Sequence, residues 1–274
     1  ADGYARSTGK IGVALVVPGP GAYNAAAAMS DAYATSSQVL LISGQINTKE
    51  IGKDHGALHE ISDQLEFMKP VVKWNDIVTR AEGIPEAIHE AMRQLNTGRP
   101  RPVELEIPPD TLATTAEIDL VEREAYPRPA PDTQSIRAAA DLLASAKKPI
   151  IWAGGGVISS GGSAALTHIA EHLQAPVHVT PEGKGAIDER HYLSRGALKT
   201  RTDTLREQLR THDVILAVGT RFAAVEPDPA QRVVQIDIDA DEIGRNHANT
   251  YAVLGDAAHT LAALDAKLTA TTDA

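Results

Sequence analysis

The chain has no cysteine among its 274 residues. That excludes a disulfide framework, a thiolate nucleophile and a thiolate metal site. It suits a reducing compartment, and the expected location is cytoplasmic. No apolar run approaches the roughly 18–20 residues that span a bilayer, so a transmembrane segment is not expected. Basic residues are outnumbered, 26 Lys and Arg against 36 Asp and Glu, for a net charge of −10. That balance argues against binding to nucleic acid or to an anionic membrane. There is no Met at position 1, and ADGYARSTGK reads like the interior of a helix. Both ends are expected to be cuts through a longer protein.

What is present is enough apolar residue, 43%, for a sizeable core, arranged as alternating strands and helices. IGVALVV (11–17) and QVLLIS (38–43) are unbroken apolar runs of strand length, as in parallel strands covered on both faces. A helix is expected over Ala22–Ser36. VVKWNDIV (71–78) and PVELEIP (102–108) read as strands. Between them, IPEAIHEAMRQLNTG (84–98) puts Ile84, Ala87, Ile88, Ala91, Met92 and Leu95 on one helical face, with Gly98 at the C-cap.

Residues 113–132 change character, with Pro127, Pro129 and Pro131 spaced two apart, and read as an extended linker. A second series follows. Helices are expected at 133–146, 163–174, 203–212 and 256–269, and strands at 149–154, 176–180, 213–219 and 232–239. The reading is α/β: two doubly wound, Rossmann-like parallel-sheet domains. The first, residues 1–112, is incomplete at its start. The second spans 133–274.

In such sheets ligands sit beyond the carboxyl ends of the strands. Pro18-Gly19-Pro20-Gly21 lies at one such end. Glycine lets backbone approach a flat ligand, and proline stiffens the loop and offers an apolar wall. Asn24 is expected in the first turn of the following helix. The loop lacks the third glycine of a dinucleotide fingerprint, so it suits a ring better than a pyrophosphate. Taken alone, it is also what an ordinary tight turn looks like. Gly154-Gly155-Gly156 repeats the strand-to-helix position in the second domain, and alone is weak evidence for a dinucleotide.

His168-Ile-Ala-Glu171-His172 matches a metalloprotease spacing. Its helix, however, turns Leu166, Ile169, Ala170 and Leu173 inward, which sends the three polar residues out. His89-Glu90 also lies on a polar face. Lys184, between two glycines, reads as a solvated loop lysine.

Taken in order, eleven segments resemble the thiamine-diphosphate-dependent enzymes of the acetolactate synthase type. They include ADGYARSTGKIGV (1–13), PGPGAYN (18–24), SDAYATSSQVLLISGQ (30–45), GALHE with DQ (56–64) and KWN (73–75). NTGRPRPVELEIPPD (96–110), PIIWAGGG (149–156), GKGAIDERH (183–191), LAVGTRF (216–222), VVQIDIDADEIGRN (233–246) and GDAAHTL (255–261) complete the set. The match is collinear over nearly the whole chain.

The resemblance implies part of a pyrimidine-binding domain followed by a complete middle domain. It implies a 2-oxo-acid decarboxylase or carboligase that works as a homo-oligomer, dimer or tetramer, with thiamine diphosphate and Mg²⁺. Gly19, Pro20, Gly21 and Asn24 would lie on the aminopyrimidine side. The activating glutamate would fall just upstream of Ala1, and the Mg²⁺ motif in a further domain, so this chain alone is expected to be inactive.

His59 stands where many relatives carry glutamine facing the cofactor, and a histidine there could move protons near neutral pH. Packing or capping within its loop is the other reading of His59. Gly154, Gly155, Gly156, Arg221, Asp237 and Asp256 fall on positions that line FAD in some members of the family. Two departures weigh against FAD: Ala223-Ala224-Val225 after Arg221-Phe222, and Gly196-Ala197-Leu198-Lys199. The alternative to an enzyme fragment is a non-catalytic nucleotide-binding or subunit-interaction module. A Rossmann oxidoreductase is disfavoured, because neither glycine loop carries the full fingerprint.

Overall fold

The computed structural model describes residues 1–197, 203–223 and 225–272. Leu198, Lys199 and Ala224, three residues of the two departures above, lie outside the described residues. The chain divides into two compact units, Ala1–Pro127 and Arg128–Ala274. The boundary falls inside the proline-spaced stretch, and residues 114–132 carry no regular secondary structure.

The first unit runs α1 (Asp2–Thr8), β1 (Gly12–Val16), α2 (Pro20–Thr35), β2 (Val39–Gly44), α3 (Gln64–Met68), β3 (Trp74–Ile77), α4 (Ile84–Asn96), β4 (Val103–Ile107) and α5 (Pro109–Leu112). Its strands form one parallel sheet in the order β1-β2-β4-β3. Leu40, Val103, Leu105 and Ile107 face α4, which supplies Ala87, Ala91 and Leu95. Across the sheet, Leu41 packs with Met29 and Ala32 of α2 and Met68 of α3.

The second unit runs α6 (Thr133–Ala144), β5 (Pro149–Ala153), α7 (Gly155–Ser160), α8 (Ser163–Leu173), β6 (Val177–Val179), α9 (Asp203–Arg210), β7 (Val214–Val218), β8 (Arg232–Asp237), β9 (Thr250–Leu254) and α10 (Ala257–Thr272). Its parallel sheet has the order β6-β5-β7-β8-β9. One face is covered by α6, α8 and α10 through Leu143, Leu166, Ile169 and Leu264. The other packs Trp152, Ile215 and Val233 under Phe222 and Leu209.

Several boundaries differ from the sequence reading. Helix α2 starts at Pro20 rather than Ala22, because Gly19 serves as N-cap and proline is tolerated at the first helical position. Asn24 therefore falls in the second turn, not the first. Helix α4 is capped at Thr97, and Gly98, with φ +56°, lies one residue beyond. Short α3, α5 and α7 and strand β9 were not foreseen, since each has only four to six residues and no room for a period. The metalloprotease-like residues point outward as expected: His168 meets Asp265 at 3.6 Å, and Glu171 meets His191 at 3.1 Å. His89 faces Glu124 at 3.3 Å, and the exposed Lys184 lies 3.6 Å from Glu189.

Gly154 and Gly156 pack closely against a second glycine turn. A Cβ on Gly154 would stand 2.3 Å from the Gly219 carbonyl oxygen, and one on Gly156 would stand 2.6 Å from the Gly219 Cα. Backbone meets backbone there, so neither side can yield cheaply. Gly156→Ala is expected to destabilise the second unit by about 1–3 kcal/mol, read as an earlier urea midpoint for the buried Trp152 fluorescence. An unchanged midpoint would mean that the two turns are not in contact.

Candidate functional site

The carboxyl end of the first sheet carries a cavity of about 670 Å³. Its floor is the ends of β1, β2 and β4, with Val16, Ile42 and Ile107, and its rim includes Leu15, Val17, Leu58 and Leu112. The polar lining comes from Ser43, Gln45, Asn47, Glu50 and His59. Asp110 anchors the Asn47–Glu50 side by accepting from the Thr48 amide at 3.1 Å and from the Thr48 hydroxyl. The Thr48 hydroxyl and amide hold the Asp110 carboxyl below the usual carboxylate range.

His59 and the Pro18–Gly21 turn are brought together, though they are 40 residues apart in sequence. Gly19 has φ +56°, and a Cβ there would lie 2.4 Å from the His59 carbonyl oxygen. Only glycine fits, on both counts. The Gly19 amide donates to Gln64 Oε1 at 2.8 Å. His59 itself has φ +69°, in a loop closed by Glu60, whose carboxylate accepts from Ala57 N at 2.7 Å and His55 N at 3.3 Å. Those amides, Ala57 first, lower the Glu60 pKa. Pro18 lines the cavity, but Pro20 and Asn24 do not; both sit exposed on the start of α2.

Beneath the turn lies a buried polar stripe that the sequence reading did not single out. Register places Glu104 beside Leu41 and Asn75, and Glu106 beside Ser43, so these side chains share one sheet face. Gln64 donates through Nε2 to Ser43 Oγ at 3.1 Å and to the Gly44 carbonyl at 3.0 Å. Ser43 Oγ donates to Glu104 Oε1 at 3.0 Å. Gln45 Nε2 donates to Glu106 Oε2 at 2.8 Å, while Glu106 Oε1 is buried with no hydrogen-bond partner.

Both glutamates are fully buried. Burial, reinforced by Glu106 nearby, pushes Glu104 up to about 8 against the Ser43 and Asn75 hydrogen bonds. Burial likewise pushes Glu106 up to about 7, against the Gln45 and Gln64 amides. An E-L-E alternation in a strand normally reads as outward carboxylates. The signal that would have found them is position: β4 lies inside a sheet covered on both faces, where no residue can point to water.

In the second unit, each residue of the FAD-lining set that has described contacts is engaged within its own fold. Asp256 pairs with Arg128 at 2.8 Å and accepts from Ala258 N and His259 N at the start of α10. Asp237 Oδ1 accepts from the Asp239 amide at 3.0 Å. The Arg221 carbonyl accepts from Asn246 Nδ2 at 2.8 Å. The glycines close on Gly219, apart from Gly155, which lies against Glu182. Among the described residues no cluster of three or more His, Cys, Asp or Glu could hold a metal ion, and no helix is long and apolar enough to cross a membrane.

Two family models match this chain. The thiamine pyrophosphate enzyme N-terminal TPP binding domain covers residues 1–67, and the thiamine pyrophosphate enzyme central domain covers residues 136–264. The chain belongs to the thiamine pyrophosphate enzymes. Thiamine pyrophosphate and thiamine diphosphate are one compound. Across 98% of its length the chain is 39% identical to the probable acetolactate synthase large subunit of Methanocaldococcus jannaschii, covering 48% of that protein. It is 36% identical to the probable 2-ketoarginine decarboxylase of Pseudomonas aeruginosa, covering 98% of this chain and 49% of that one. The fold matches the crystal structure of benzoylformate decarboxylase from Polynucleobacter necessarius with a TM-score of 0.86 and 22% identity, over 98% of this chain and 51% of that one. The chain thus spans about half the length of the relatives it matches.

The buried glutamates make the stability of this family member's first unit depend on pH. Both folded values lie above the ordinary carboxylate value, so the folded state keeps protons that the unfolded chain releases. Stability is therefore full below about pH 4.5 and falls as pH rises through about 7 to 8. Thermal melts between about pH 5 and about pH 8 should show a falling midpoint, and Glu104→Gln should flatten most of that slope. An unchanged slope in Glu104→Gln would show that Glu104 is ionised in the folded state.

Proposed function

We propose that this chain is the pyrimidine-side and central part of a thiamine-diphosphate-dependent 2-oxo-acid decarboxylase or carboligase of the acetolactate synthase kind. The observation that carries the reading is the Pro18–Gly21 turn. It is free of Cβ at Gly19, it is bonded from below by Gln64 and bounded on one side by His59, and it lies at the carboxyl end of a parallel sheet. The collinear relatives support the same reading.

Bound thiamine diphosphate would supply a carbanion that adds to the keto carbon of the substrate and stabilises the charge left after CO₂ departs. Pro20 would give the aminopyrimidine an apolar edge, and Gly19 and Gly21 would allow close approach. Asn24, one turn further on, would offer an amide to the ring. His59, lining the cavity beside this turn, would hold or move a proton at its imidazole. Mg²⁺ would travel with the diphosphate, on residues outside this chain. The working protein would be a homo-oligomer in the cytoplasm.

FAD in the central domain rests on the resemblance alone. The contacts of Gly154, Gly156, Asp237 and Asp256 favour a structural role for them, and a colourless purified protein would agree with that.

The test is CO₂ release by the complete protein from a panel of 2-oxo acids. Turnover should require added thiamine diphosphate and Mg²⁺, and His59→Ala should lower kcat by about 10²-fold or more with little change in cofactor affinity. No cofactor-dependent turnover, together with no calorimetric binding of thiamine diphosphate, would overturn the reading. An unchanged kcat in His59→Ala would leave the histidine as a loop residue only.

A further inference from the structure

Gln64 belongs to the DQ pair of the resemblance, yet no role for it follows from the sequence. It is 2% exposed, and its single amide spans the ends of β1 and β2 past the point where they pair with each other. The β1–β2 register runs to Val16 and Ser43. Beyond it Pro18 has no N–H to offer, and Gly19 turns away with φ +56°. Into this gap Gln64 places one carbonyl and one NH₂. Oε1 accepts from Gly19 N at 2.8 Å, and Nε2 donates to the Gly44 carbonyl at 3.0 Å. A primary amide here does what a peptide unit does in a sheet ladder.

The orientation of that amide follows from its partners. A backbone N–H can only donate and a backbone carbonyl can only accept, so the carbonyl of Gln64 must face Gly19 and its NH₂ must face Gly44. The second NH₂ hydrogen goes to Ser43 Oγ, which leaves the Ser43 hydroxyl free to donate only onward, to Glu104. Every bond in the chain Gly19–Gln64–Ser43–Glu104 therefore runs in one direction. On the far side, the His59 carbonyl blocks Gly19 from moving outward. The turn has a floor and a wall, both built from residues 59–64.

We propose that Gln64 is the positioning residue of the cofactor turn: by holding the Gly19 amide it sets where Pro20 and the start of α2 stand against the ring of thiamine diphosphate. This rests on the function proposed above. Gln64 does not touch the cofactor; it acts through Gly19. Its contribution is to keep the turn in one conformation before the cofactor arrives, so that binding does not have to order it.

The experiment compares the complete protein with its Gln64→Met variant, which keeps the volume and loses the amide. Hydrogen exchange without cofactor is followed in residues 18–24 and, as control, in α4, residues 84–96. The Gly19 region should exchange about ten-fold faster, with the α4 amides unchanged. The thiamine diphosphate concentration at half-saturation should rise about ten-fold while kcat at saturation stays within about two-fold. Unchanged exchange at Gly19, equal acceleration in both segments, or an unchanged cofactor requirement would each overturn the proposal. Absence of thiamine diphosphate binding in the unsubstituted protein would overturn the function and the proposal together. Binding that is equal in protein and variant would overturn the proposal alone. Should Gln64→Met fail to fold, Ser43→Ala must give the same localised change to a smaller degree, and its absence would be equally decisive.

Discussion

Backbone groups at the carboxyl end of a parallel sheet must find partners where the strands cease to pair, because a buried amide left alone costs free energy. The two units meet that constraint differently. In the second, glycine backbones carry the ladder one step past the strands. Gly154 N bonds Val218 O at 2.9 Å, Gly219 N bonds Ile236 O at 2.8 Å, and Gly255 N bonds Asp237 O at 2.9 Å. In the first, proline interrupts the ladder and a side-chain amide fills the break. A closed end leaves fewer backbone groups without a partner. An interrupted end leaves a turn whose outer edge faces away from the sheet, and there the exposed Pro20 and Asn24 are found.

The amide that fills the break needs its own surroundings, and they reach deep. Gln64 has a second donor to satisfy, which brings Ser43, and the Ser43 hydroxyl brings Glu104. A carboxyl group at the centre of a covered sheet is held best in its neutral form, where burial is less costly than for the charge. The Ser43 and Asn75 hydrogen bonds work against that preference without reversing it. The polar stripe is thus not a lapse in the core. It is the foundation of the turn above it, and the apolar packing of Leu41, Met29 and Met68 around it keeps water from competing for those bonds.

The fold was legible in the sequence because both sheets are parallel and their central strands are buried. QVLLIS, PIIWAG and DVILAVG are the continuous runs that such strands require, and α4 displayed its apolar face in the spacing of Ala87, Ala91 and Leu95. IGVALVV reads the same way but forms the edge strand β1, where Val13 and Leu15, and Val17 just beyond it, are exposed, so a continuous run did not mean two covered faces there. Half of the site was legible too: Gly19 and Pro20 announce a turn whose backbone is special. The other half was not. Gln64 and Ser43 are ordinary residues in ordinary-looking loops and strands, and they matter only because chain segments 45 residues apart meet there. Glu104 and Glu106 mislead outright, since their alternation mimics a solvent-facing edge. Local pattern reports which face a residue takes relative to its neighbours, but not whether the second face is also covered.

Gly154-Gly155-Gly156 occupies the same strand-to-helix position in the second unit, with Gly154 and Gly156 held by packing. The difference between it and Pro18–Gly21 lies in what stands opposite. Facing Gly154 and Gly156 is another glycine turn of the same sheet, at distances no side chain could enter. Facing Gly19 on one side is the carbonyl of His59, in a loop that also lines the cavity. A glycine held against its own scaffold explains itself. A glycine held against a loop that carries an imidazole to a cavity ties the geometry of the turn to the placement of that imidazole. Any shift of residues 59–64 must therefore move the floor of the turn, its wall and the cavity lining together.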